Sequence, residues 1–99
     1  MPLKAMYAAL SGAQLAGQML NASAHNTANM NTEDHHDLRV EAEEANHGVI
    51  SHIRRAKRPG FNAVDNVILR HTGQLTYRAN LAVIRADDEM RGTITDLIG

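Results

Sequence analysis

The sequence contains no cysteine and no tryptophan, only two prolines, three aromatic side chains and no excess of either charge. Without cysteine there can be no disulfide scaffold, zinc-thiolate site or redox dithiol, and the chain suits an oxidising or a reducing compartment equally. With Tyr7, Phe61 and Tyr77 as its only aromatics, its core must come from small aliphatic contacts, which favours helix pairs over a sandwich. A formal net charge of -1 gives no bulk attraction to nucleic acid or to an anionic membrane. No apolar run reaches the length of a membrane span, so no membrane insertion is expected. Near the start, Lys4 is followed by a segment broken by Gln14, Gln18 and Asn21, unlike the apolar stretch of a cleaved signal peptide.

At 99 residues the chain is expected to form one domain, in three parts. Residues 1–32 hold an N-terminal helix and an Asn-rich exit, residues 33–60 a β-hairpin and a basic Pro-Gly linker, and residues 61–99 a C-terminal helix. In the first part Leu3, Met6, Leu10, Ala13, Gly17, Leu20 and Ala24 recur at alternating steps of three and four, the pattern of a coiled-coil seam. The run from Asn26 to Asp34 is crowded with side chains that cap helix ends and turn the chain. Leu38, Val40 and Ala42 then alternate with Arg39, Glu41 and Glu43, and a second β-rich run covers Val49 to Ile53. The hairpin turn is expected around Asn46 to Gly48.

The basic stretch Arg54-Arg55-Ala56-Lys57-Arg58 closes on Pro59-Gly60, a strong break. It has no interleaved aromatics for base stacking, so a solvated or subunit-contacting cluster is expected rather than a nucleic-acid site. Beyond it Val64, Ile68, His71, Leu75, Ala79, Ala82, Ala86, Met90, Ile94 and Leu97 recur every three or four residues, the mark of one long amphipathic helix. The expected fold is mainly α: two long terminal helices, roughly 40 and 50 Å at 1.5 Å per residue, in an antiparallel coiled-coil-like pair with a small β-hairpin between them. Two helices cannot cover both apolar stripes, so contact with other copies or other proteins is expected. The residues read from the stripes for assembly and packing, within the pair or against neighbours, are Leu3, Met6, Leu10, Ala13, Gly17, Leu20, Val64, Ile68, Leu75, Ala79, Met90 and Ile94.

Two blocks carry a family resemblance. Ala9-Leu10-Ser11-Gly12 followed by Ala24-His25-Asn26-Thr27-Ala28-Asn29-Met30-Asn31-Thr32 resembles the Ala-Leu-Ser-Gly and Ala-Asn-Asn-Ile-Ala-Asn-Val-Asn-Thr opening of bacterial flagellar rod and hook proteins. Gln74-Leu75-Thr76-Tyr77-Arg78-Ala79-Asn80 resembles the closing-helix motif Gln-Arg-Ala-Tyr-x-Ala-Asn of the same family. The motif residues are thus Asn26, Asn29, Asn31, Thr32, Gln74, Tyr77 and Asn80. The resemblance implies a small rod-type axial subunit of the flagellar basal body, contributing to motility and exported through the type III apparatus without a cleaved signal. It would pack through its terminal helices with its own copies or with other axial proteins, in the periplasmic part of the structure. Where the family has Asn-Thr-Pro-Gly-aromatic, this chain reads Asn31-Thr32-Glu33-Asp34-His35, and a different exit from the helix is expected. An acidic pair early in the closing helix is replaced by Asp65-Asn66.

No nucleophile-base pair or phosphate-cradling loop is readable, so neither catalysis nor a cofactor is expected. The alternative readings are a metal- or ligand-binding module using His35, His36, His47 and His52, whose spacing fits no closed zinc site, and a soluble paralogue that binds flagellar or export components. His71, on the apolar stripe, is expected to be a hydrogen-bonded interface histidine.

Overall fold

The computed structural model describes residues 3–98; residues 1, 2 and 99, which the terminal helical segments were expected to include, lie outside the described residues. Four elements follow one another: helix α1 (Leu3–Ala28), strand β1 (Leu38–Ala45), strand β2 (Gly48–Arg55) and helix α2 (Ala63–Ile98). The mainly α fold with a hairpin between two helices is therefore present, with the helices inside the expected segments 1–32 and 61–99. The strands pair antiparallel from Leu38 opposite Arg55 to Ala45 opposite Gly48, leaving Asn46-His47 as a two-residue loop. Arg54 and Arg55, expected in the linker, are the last residues of β2.

Helix α1 is the central element. Helix α2 packs on one side of it and the hairpin on the other, and among the described residues the hairpin does not pack on α2. On the α2 side, Ala9, Gly12, Ala16, Ser23 and Asn26 are buried at steps of three, four, seven and three. On α2 the covered line runs through Asn66, Leu69, Gly73, Thr76, Asn80, Ile84 and Asp87. Both lines hold the heptad-like spacing of a helix seam, but apart from Leu69 and Ile84 their residues are small or polar. A Cβ added at Gly73 would lie 3.1 Å from the Cβ of Met19 and 3.3 Å from Leu20, and one at Gly12 would lie 2.5 Å from the Asn80 side chain. Glycine at these two positions lets the helices approach each other closely.

The seam is thus on a different face from the one expected. Leu3, Leu10, Val64, Ile68, Leu75, Met90 and Ile94 are exposed, as is Ala79, while Met6, Ala13 and Gly17 are half-buried. Of the expected packing residues, Leu20 meets the opposite helix at Gly73. His71 is also exposed. The physical reason is that a spacing of three and four fits more than one face of a helix, and hydrophobicity marks the wrong face when the real seam is built from glycine, alanine and short polar side chains.

On the hairpin side Ser11 receives the Val49 N–H at 3.1 Å, and the Ser51 hydroxyl donates to Gln18. The helix ends are capped locally. At α2, Asn62 Oδ1 accepts the Asp65 N–H at 3.1 Å, the standard N-cap bond. After α1, Asn29 Nδ2 donates to the His25 carbonyl at 2.9 Å and Thr32 Oγ1 donates to Asn29 Oδ1 at 3.2 Å. Asp34, which stands where the resembled motif has glycine, takes φ 58°. That left-handed conformation is tolerated by aspartate and preferred by glycine.

Three consequences can be measured by thermal melting followed by circular dichroism. Gly73→Leu should lower stability by about 1–3 kcal/mol through overpacking of the seam, whereas Gly17→Ala, where a Cβ meets nothing within 4 Å, should raise it by up to about 1 kcal/mol. Asp34→Gly should raise it by about 0.5 kcal/mol; a drop would show that the aspartate side chain contributes more than its backbone strain removes.

Candidate functional site

The chemistry of the molecule concentrates where the end of α1, the start of β1 and the start of α2 meet. Asn26, on the last turn of α1, is only 2% exposed, and its amide is fully used. Oδ1 accepts the Leu38 N–H at 2.7 Å, while Nδ2 donates to the Leu38 carbonyl at 3.1 Å and to Asn66 Oδ1 at 3.4 Å. One side chain therefore bonds both backbone groups of the first residue of β1 and reaches the first turn of α2. An asparagine amide suits this task because it offers a donor and an acceptor on one rigid plane.

The network closes on itself. Asn66 Nδ2 donates to Thr27 Oγ1 at 3.0 Å, Thr27 Oγ1 donates to the Ser23 carbonyl at 3.0 Å, and Ser23 Oγ donates to the Asn66 carbonyl at 3.4 Å. Buried Asp37 adds a second tie: its Oδ2 accepts the Asn62 N–H at 2.9 Å, placing a carboxylate at the α2 N-terminus, where the helix dipole favours negative charge. The Asp37 carbonyl accepts the Ala56 N–H at 2.7 Å, and the His35 carbonyl accepts the Gly60 N–H at 2.9 Å. These bonds hold the basic linker beside the segment that leads into β1.

Of the motif residues, Asn26 is the centre of this network, while Asn29 caps α1 and Thr32 bonds the Asn29 side chain. Asn80 lies over Gly12 and donates to the Thr76 carbonyl at 2.8 Å. The two blocks of sequence that carry the resemblance thus meet across the seam. Asn31, Gln74 and Tyr77 are exposed and stand apart from the joint. Sequence reasoning missed Ser23, Asp37, Asn62 and Asn66. Only Asn62 carried a local signal, as a capping residue three positions before Asp65.

The four hairpin-side histidines are not gathered. His36 Nδ1 donates to the Ala56 carbonyl at 2.7 Å, and His52 Nε2 donates to Glu43 at 2.5 Å. His35 faces His25 with ring centroids 5.2 Å apart, and His47 is in the hairpin loop. Among the described residues no three histidine or acidic side chains come together in a way that could hold a metal ion. No helix among them is long and apolar enough to cross a membrane.

The remaining surface is extensive. The molecule measures 61 × 23 × 16 Å and exposes 7198 Å², against roughly 5500 Å² for a compact monomer of its 10.8 kDa. No protein-family model and no curated protein matches the chain.

Asn26→Ala should lower stability by about 2–4 kcal/mol, since it leaves the Leu38 backbone groups and the Asn66 amide short of partners. Urea unfolding measures the loss. Combining it with Asn66→Ala should add less than the sum of the two single changes. Faster hydrogen exchange at the Leu38 amide is the local readout.

Proposed function

We propose that this protein is a structural, non-enzymatic subunit of the bacterial flagellar basal body, a small rod-type axial protein that works by assembling through its helices. The observation that carries the reading is the coincidence of motif and joint. Asn26, Gly12, Ser11 and Asn80 bear the resemblance to the rod and hook family, and they also tie the two helices and the hairpin together. A sequence signature that makes the joint of a thin molecule is what a family needs when it keeps one helix pair and varies the rest.

Surface supports the same reading. Ile68 is 59% exposed and Ile94 54% exposed, and the stripe they share runs along the outward face of a helix of 36 residues. Apolar stripes of this length are covered in working proteins by a partner. The partners proposed are further copies or other axial proteins, reached after export by the flagellar type III apparatus in the periplasmic part of the basal body.

Deleting the gene in its host should abolish or reduce swimming and leave basal bodies with an incomplete rod. A tagged copy should restore motility and co-purify with basal bodies. Normal motility in the deletion strain, with no tagged protein in purified basal bodies, would end this reading.

A further inference from the structure

Between the hairpin and the first half of α2 lies an open groove of about 1200 Å³, floored by Met19 and Asn26 of α1. Its walls carry Leu38 and Val40 on one side and Phe61, Ile68 and Leu69 on the other. Its rim is predominantly basic: Arg39, Arg55, Lys57 and Arg58 border it, against Asp37 and Asp65, while Arg54 is paired with Glu41 at 2.8 Å. The far end of α2 has the complementary character. Every residue from 88 to 98 is exposed, and Met90, Ile94, Leu97 and Ile98 form one apolar strip at helical spacing. Glu89 and Asp96, seven residues apart, lie along one edge of that strip.

We propose that the terminal turns of α2 from one copy dock into this groove of a second copy, with the apolar strip on the groove floor and the acidic edge against the basic rim. A chain cannot fill its own groove: Leu69 and Ile94 belong to one continuous helix and stand roughly 38 Å apart along it. The contact is therefore between copies and joins two different surfaces. Such a contact closes when two copies exchange tails, and otherwise extends into rings or open filaments. This inference rests on the assembly reading above and names the surfaces that meet.

A charge exchange tests it, with sedimentation velocity of the full chain at low ionic strength. Arg55→Glu with Arg58→Glu reverses the groove, and Glu89→Arg with Asp96→Arg reverses the tail; all four positions are exposed, so folding should survive, as checked by circular dichroism. Each double variant alone should associate about tenfold more weakly than the unaltered chain. Mixing them should restore association, because each groove then meets a tail of opposite sign. Ile94→Asp with Leu97→Asp should abolish association with and without the charge changes. An unaltered chain that stays monomeric up to its solubility limit overturns the proposal, as does a mixture that gains nothing over its components. Restored association with no protein in purified basal bodies would remove the flagellar reading and leave the docking intact. Charge variants that still assemble normally in basal bodies would remove the docking alone.

Discussion

The bond pair between the Asn26 amide and the backbone of Leu38 is the constraint on which the rest of the molecule depends. A helix end and a strand start have no common hydrogen-bonding pattern, yet here a single buried side chain supplies both a donor and an acceptor to the first strand residue. Its second donor bond, to Asn66, fixes the start of α2 from the same point. In an apolar surrounding such a network is strong when every group is paired and costly when one is not. The three elements are therefore held at one defined position, although large side chains contribute little to the seam.

That position determines what remains on the outside. Because α1 is occupied on one side by α2 and on the other by the hairpin, its small and short polar residues are used inward. Most large aliphatic residues of α2 are consequently turned to solvent. A reversal of the usual allocation, with polar and small residues in the seam and leucine, isoleucine and valine on the surface, is stable for a lone chain only to the extent that the polar network is complete. It suits a molecule whose outer faces are completed by neighbours.

Element types and bounds were legible in the sequence because they depend on local signals: alternation at Leu38 to Glu43, the breaks at Asn46 to Gly48 and Pro59-Gly60, and the Asn-rich end of α1. The choice of seam was not legible. Hydrophobic periodicity selected Leu10, Ile68 and Leu75, whereas the face actually used depends on how near two backbones can approach, a property of Gly12 and Gly73 that has no amplitude on a hydrophobicity scale. The importance of Asn26 could be read from its motif, but its partner Asn66 could not, because a bond between residues forty positions apart leaves no local trace. The exit after α1 places Asp34 in the left-handed region, a conformation that the run Asn31 to His35, with neither proline nor glycine, did not announce.

The two-residue loop of the hairpin has a consequence for how the chain reaches this structure. The seam joins Gly12 to Asn80, a separation that makes contact order high for a helical protein and slows folding. Formation of the hairpin brings Leu38 beside Arg55, which takes the strand residues between them, roughly a quarter of the intervening chain, out of the loop that must close. Since loop-closure entropy grows with the logarithm of loop length, the saving is modest in free energy. The larger effect is on order of events: a hairpin formed early aims the start of α2 back toward α1, and the Asn26 network can then join three elements already close together.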